Sequence, residues 1–227
     1  MNKRSRRRVN RRNNRRINRR VNRRSERKRN TKKRDTKKRD TKRRNTKKRN
    51  TKKRNTKDHP DFKPNLSPKQ VFKKGAFGGT YFRPINSSVT GKSYRSSDVI
   101  REYPKSWFSG INIETHVTSS KYDKKINKYG VKCGSSLEDW EGNGWIVKQD
   151  PYGWFQWYCR YYKGRRTKDD ERQIDRWKKL AGPNGRFRKR LINMIKKKNT
   201  TYDDYTVSPV IRQVLLHWAY ELRPGDL

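Results

Sequence analysis

The chain has 227 residues, 65 Lys and Arg against 21 Asp and Glu, and a formal net charge of +44. Only 28% of its residues are hydrophobic and no apolar run approaches the ~18 residues a membrane span needs, so we expect no membrane partner. Two cysteines, Cys133 and Cys159, neither in a CxxC pair, argue against a disulfide framework or structural zinc; free thiols are expected, with a single Cys133–Cys159 bridge as the alternative.

The charge is unevenly placed. Residues 1–60 hold 32 Lys and Arg against four acids, a net of +28, and no aromatic residue. Their apolar residues after Met1 are Val9, Ile17 and Val21, too few to offset chain entropy against such self-repulsion, so this segment is expected to be a disordered arm. No apolar stretch follows the positive start, so no signal peptide is expected. Two repeats build the arm. VNRR-NNRR-INRR-VNRR (9–24) has a period of four, close to a helical turn, and would stack Arg11, Arg15, Arg19 and Arg23 on one stripe if phosphates permitted a helix. NTKKR-type units (30–57) carry a Thr and an Asn or Asp in each, both poor helix formers, and are expected to stay extended; Lys32, Lys33, Arg34, Lys47, Lys48 and Arg49 represent their cations. Dense Lys and Arg neutralise phosphates and release condensed counterions, which gives strong, salt-sensitive, sequence-independent binding. Nucleic acid, DNA before RNA, is therefore the expected partner. A nuclear address is a by-product of the same charge, and an anionic membrane surface fits less well because apolar anchors are missing.

A Pro-punctuated stretch, DHPDFKPNLSPKQ, covers 58–70; we assign 61–75 to a linker and 76–227 to one compact, mainly helical domain. Residues 71–150 read as loops with a few short helices or strands, including the β-prone INIETHV (111–117) and a turn at Gly142-Asn-Gly144. Helical periodicity then sets in. Trp154, Trp157, Tyr158 and Tyr161 recur at i, i+3, i+4 and i+7 within 152–162, which is core spacing before it is a platform for stacking bases. Arg160, Lys163, Arg165 and Arg166 form the basic rim of that segment and are expected to touch phosphate. Thr167-Lys-Asp-Asp170 reads as a capping box opening a helix with Ile174, Trp177, Leu180 and Ala181 inward. Gly182-Pro-Asn-Gly185 breaks it. The next helix, 185–198, should bury Phe187, Leu191, Met194 and Ile195 and gather Arg186, Lys189, Arg190, Lys196 and Lys197 on the opposite face. That pair of helices reads as an αα-hairpin with a basic face in preference to a sequence-specific helix-turn-helix. Ser208-Pro209 starts a fourth helix, with Ile211, Val214, Leu215, Trp218, Ala219 and Leu222 on one face, stopping at Pro224-Gly225. The expected fold is mainly α: a small bundle of about four C-terminal helices, preceded by a loop-rich region and the arm.

The blocks FGGTYFRPI (77–85), YPKSWFSGI (103–111), NKYGVKCGSSLEDWEGNGWI (127–146), DPYGWFQWYCRYYKGRRTKDDERQIDRW (150–177) and VIRQVLLHWAYEL (210–222) resemble an uncharacterised family of algal, fungal, bacterial and large-DNA-virus proteins. The resemblance implies one coherent domain across the body and supplies no catalytic residues. Its viral members favour a role in a virion or in viral chromatin.

Signals for enzymology are thin. Thr90-Gly-Lys-Ser93 ends like a phosphate-binding loop, but Asn86 stands where that motif needs its first glycine. Glu138, Asp139 and Glu141 around Trp140 read as a solvated loop before a Mg²⁺ site, because no distal acids pair with them. His59, His116 and His217 are scattered, and neither cysteine has a local histidine to activate it. We expect a non-enzymatic, nucleic-acid-binding and DNA-condensing or packaging protein of a nucleus or virion, with no cofactor and no metal. The rivals are an interaction protein whose body docks a protein partner and, further off, a metal-dependent nuclease.

Overall fold

The computed structural model describes residues 59–227 and, within the arm, Thr31 alone. Two units divide the chain, 1–57 and 58–227. The expected helix at 9–24 and extended repeat at 30–57 lie outside the described residues. The second unit is mainly helical. Among the described residues it has eight α-helices and one two-stranded sheet.

Residues 61–75, expected as a linker, belong to the core. Ser67 caps helix α1 (Pro68–Lys73) through a capping box with Gln70, and Pro68 fits the first helical position, whose N–H needs no partner. Val71 and Phe72 are buried. Upstream, Phe62 sits among Trp157, Tyr158, Tyr161 and Trp177, its ring centroid 5.2 to 6.1 Å from theirs. The prolines punctuate the stretch without freeing it from the body.

The FGGTYFRPI block follows as tight turns. A Cβ on Gly79 (φ +83°) would stand 2.0 Å from the Thr115 carbonyl oxygen, so only glycine fits there. Strands β1 (Ile85–Ser87) and β2 (Lys92–Tyr94) make an antiparallel hairpin with Asn86 opposite Ser93. Thr90-Gly-Lys-Ser93 is thus a hairpin turn running into a strand. Short helices α2 (Ser96–Ile100), α3 (Ile113–His116) and α4 (Leu137–Gly142) complete this half. The β-prone INIETHV is helical at 113–116, because the Asn112 side chain accepts from the Thr115 N–H and caps a turn there. The acids of 138–141, expected in a loop, lie on α4, which a Ser136–Asp139 capping box opens.

The C-terminal helices are α5 (Trp154–Tyr162), α6 (Asp170–Leu180), α7 (Arg186–Lys198) and α8 (Pro209–His217). In α5 every side chain from Trp154 to Cys159 is buried, Trp157 completely. Buried polar tips find partners: Trp157 Nε1 donates to Asp170 at 2.8 Å, Trp154 Nε1 to the Gln173 carbonyl at 3.0 Å, Tyr158 to the Leu66 carbonyl at 2.8 Å and Trp177 Nε1 to the Trp218 carbonyl at 2.8 Å. These aromatics are core.

Four details of the helices differ from expectation. Thr167 and Asp170 do bond each other, but α6 starts at Asp170 with Asp169 as its N-cap, two residues later than a capping box at Thr167 implies. Met194 on α7 is exposed (38%), leaving Leu191 and Ile195 to anchor that helix. Helix α8 ends at His217, because Ala219 turns left-handed (φ +52°). Tyr220 and Leu222 are still buried, outside the helix. Ser208 precedes α8 in a left-handed conformation and makes no side-chain cap.

The segment after α8 is stitched to the segment before α1. Asn65 and Leu66 both donate backbone N–H bonds to the Ala219 carbonyl at 3.1 Å. The Asn65 side chain donates to the Glu221 carbonyl and accepts from its N–H. Lys74 (2.9 Å) and Lys128 pair with the Glu221 carboxylate.

Candidate nucleic-acid interface

Helix α7 presents the expected cationic face. Arg186, Lys189, Arg190, Lys196 and Lys197 are all exposed, around the exposed Asn193. None of the five lies within 4.0 Å of a carboxylate among the described residues, whereas the other cations of the helix do: Arg188 binds Asp226 at 2.6 Å and Lys198 binds Asp204 at 2.9 Å. The chain thus holds two α7 cations in internal pairs and leaves five facing solvent. The first turn of α7 carries Arg186 and Arg188 and no acid. Cations there oppose the helix dipole, typically by about 0.3–1 kcal/mol each, and an external anion relieves the conflict.

The rim of α5 behaves differently. Asp150 is fully buried (0%) and is bound by Arg160 at 2.9 Å and Arg165 at 2.5 Å. Arg160 also grips Glu102 through two hydrogen bonds, at 2.6 and 2.8 Å, and donates to the Gln149 carbonyl. Arg166 donates to the Tyr161 carbonyl at 3.0 Å with its guanidinium 3.8 Å from the Tyr161 ring, and Lys163 reaches the Glu102 carbonyl. Arg165 and Arg166, expected at a phosphate, are half-buried and engaged inside the fold. A buried carboxylate at Asp150 needs close cations, and Arg160 and Arg165 supply them.

The remaining chemical candidates also resolve into structure. Among the described residues no group of three or more His, Cys, Asp or Glu side chains is placed to hold a metal ion. Glu141 accepts from the Ser87 and Ser88 hydroxyls at 2.7 and 2.6 Å. Burial would raise its carboxyl, but the Ser88 and Ser87 hydrogen bonds outweigh it, and the group lies below the usual range. Both cysteines are free. Cys133 and His217, 84 residues apart, come within 3.5 Å. The pair is not set up as a nucleophile and its base. His217 Nε2 stands 2.7 Å from the Ala76 carbonyl oxygen, which only accepts, so Nε2 carries a proton and cannot take one from sulfur. Burial pushes the Cys133 thiol up to about 12 and holds the His217 imidazole down at about 4, although its hydrogen bond to Ala76 pulls the latter upward.

The sequence did not announce a cavity of about 620 Å³ at the N-terminal end of α7. Its walls include the rings of Trp140, Trp145, Trp154, Trp218 and Phe187, and Arg176, Lys179 and Arg186 stand among them. No carboxylate lines it, and none lies within 4.0 Å of these three cations among the described residues. Arg176 sits over the Trp145 and Trp218 rings, 5.8 and 5.6 Å from their centroids, and donates to the Trp145 carbonyl at 3.3 Å and to the Gln173 side chain at 3.1 Å. Burial, and then the neighbouring Arg172, pull its guanidinium down to about 10. Trp145 is exposed (42%) and its indole N–H makes no hydrogen bond among the described residues. Gly153 (φ +83°, ψ −154°) lets the chain turn into α5 at the cavity wall, in a backbone region that is essentially glycine's alone.

Comparison of the chain with protein-family models, curated proteins and solved structures returns no match.

The expected arm residues Arg11, Arg15, Arg19, Arg23, Lys32, Lys33, Arg34, Lys47, Lys48 and Arg49 lie outside the described residues. Among the described residues no helix is long and apolar enough to cross a membrane. Of the expected body cations, α7 brings Arg186, Lys189, Arg190, Lys196 and Lys197 onto one helix, and Asp150 diverts Arg165. One signal did point at the cavity: Trp140 and Trp145, in LEDWEGNGW, fall outside any helical stripe and so have no periodic reason to be core.

Proposed function

We propose that this is a non-enzymatic nucleic-acid-binding protein that condenses or packages DNA in a nucleus or virion. The arm supplies affinity by charge, and the body adds the α7 face. The four helices α5–α8 act in this reading as a small bundle that carries that face. The single observation that carries the reading is the net +28 of residues 1–60, a stretch of sequence without a single aromatic residue. The five exposed α7 cations without acidic partners support it, because a merely solvated basic helix in this chain pairs its cations where acids are near, as Arg188 and Lys198 do.

The test is a salt series with full-length protein and duplex DNA. Each neutralised phosphate contributes a slope of about −0.9 in log K against log salt. A steep slope is expected for the native chain. Changing Lys189, Arg190, Lys196 and Lys197 to Gln should lower its magnitude by up to about 3.6 without altering the melting temperature. A slope near zero for the native protein refutes the reading. RNA duplex in a parallel series separates DNA from RNA preference.

A further inference from the structure

We infer that the cavity lined by Trp140, Trp145, Trp218 and Phe187 is a pocket for one unstacked nucleotide, its base against the indoles and its phosphate on Arg176, Lys179 and Arg186. This inference rests on the nucleic-acid reading above and gives the body a specific part in it.

The cavity, at about 620 Å³, falls within the range of small-ligand sites. Aromatic walls accept a flat π-face, and every base has one, so the pocket stacks a base without demanding a particular one. Its charge selects among flat ligands. A cationic ligand is disfavoured, since three cations and no carboxylate surround the opening. A neutral apolar ligand would leave the Arg176 guanidinium desolvated between two indoles with no counter-charge. A ligand that is aromatic at one end and anionic at the other answers both demands. The unused Trp145 N–H is a donor that a base carbonyl or ring nitrogen accepts.

Position identifies the anion as part of a strand. Arg186 belongs to both features: it lines the cavity and it begins the exposed cationic face of α7, with its guanidinium 4.6 Å from the Phe187 ring. A strand whose phosphates follow that face arrives at the pocket. Paired bases in a duplex show no free face, so the pocket takes a nucleotide from a single-stranded segment, an end or an extruded position.

The experiment follows tryptophan fluorescence of the full-length protein on titration with AMP, with adenosine, inorganic phosphate and O-phosphotyrosine as separate arms, while anisotropy follows a labelled duplex in parallel. AMP should quench saturably and bind at least about tenfold more tightly than either adenosine or inorganic phosphate, because it alone uses both halves of the site. Trp145→Ala, at an exposed position, should weaken AMP by about five- to a hundredfold, the range of a base–aromatic stack, with the melting temperature measured alongside. Arg176→Gln should weaken AMP and leave adenosine unchanged. Both variants should keep the duplex affinity of the native chain. Phosphate binding as well as AMP, phosphotyrosine binding better than AMP, or an unchanged Trp145→Ala each overturns the pocket. If AMP fails while the duplex binds, the pocket alone is wrong. If the native chain binds no duplex, the reading it rests on is wrong.

Discussion

Asp150→Asn separates structural arginines from nucleic-acid-contacting ones. The carboxylate is fully buried, with Arg160 at 2.9 Å and Arg165 at 2.5 Å. The amide keeps the shape and removes the charge, so two guanidinium groups lose their common anion. Arg160 keeps Glu102, and among the described residues Arg165 keeps no other carboxylate. Breaking a buried pair from one side typically costs about 3–5 kcal/mol, because the surviving charge is left desolvated. Retention of Glu102 by Arg160 and the half-burial of Arg165 place this case near 3. For a body of about 170 residues, unfolding entropy near 2.1 cal/mol/K per residue turns that into a fall in melting temperature of about 8–9 °C. Urea unfolding followed by Trp fluorescence supplies the free energy directly. The companion variant Arg165→Gln should also destabilise, and the double variant should cost less than the two singles together. Its effect on the salt slope of DNA binding should be below one phosphate. Loss of less than about 1 kcal/mol in Asp150→Asn, or a drop in salt slope near 0.9 for Arg165→Gln at unchanged stability, would show that Arg165 faces phosphate after all.

Three further outcomes follow from the same geometry. His217 is held neutral in the fold, near 4 against an ordinary 6.5, by burial beside Phe77 and Cys133. Between these values the unfolded chain binds the extra proton, so the histidine's share of stability, at most about 3 kcal/mol, is present above pH 6.5 and lost as pH falls towards 4; His217→Gln, compared by urea unfolding at pH 7 and pH 4.5, should flatten that part of the profile. Cys133, with its thiol pushed up to about 12, should react with iodoacetamide at pH 8 far more slowly than a free thiol, and only unfolding should release it. Gly79→Ala forces a Cβ against the Thr115 carbonyl from a backbone angle that alanine rarely adopts, and should cost about 3–5 kcal/mol in chemical unfolding.

What the sequence revealed follows the range of its signals. The helices α5 to α8 were legible because their apolar residues repeat at helical spacing, and the α7 cations because they fall on the opposite side of the same period. Periodicity misled at the end of α8. Trp218, Ala219 and Leu222 continue the stripe, yet the helix ends at His217, Ala219 turns left-handed, and Tyr220 and Leu222 are buried outside it. Prolines 60, 64 and 68 suggested a linker and concealed Phe62, Leu66 and Phe72, which meet Trp157, Tyr158 and Phe155 far downstream in the sequence. The fate of Arg165 was equally hidden, since nothing local tells that Asp150 will be buried. The cavity was least legible. It is assembled from stretches between Phe77 and Trp218, and no window of sequence contains it.

The clasp between Asn65 and Glu221 has a mechanical consequence. If the arm binds a polyanion as proposed, a moving or compacting polyanion pulls on the chain where it enters the body. That pull meets Phe62, wedged among four rings, and then the two backbone bonds at Ala219 and the reciprocal amide bonds at Asn65. These bonds join the two ends of the fold and share the load, so tension reaches the segment after α8 before it can peel α1. Traction on the arm therefore pulls the body along whole.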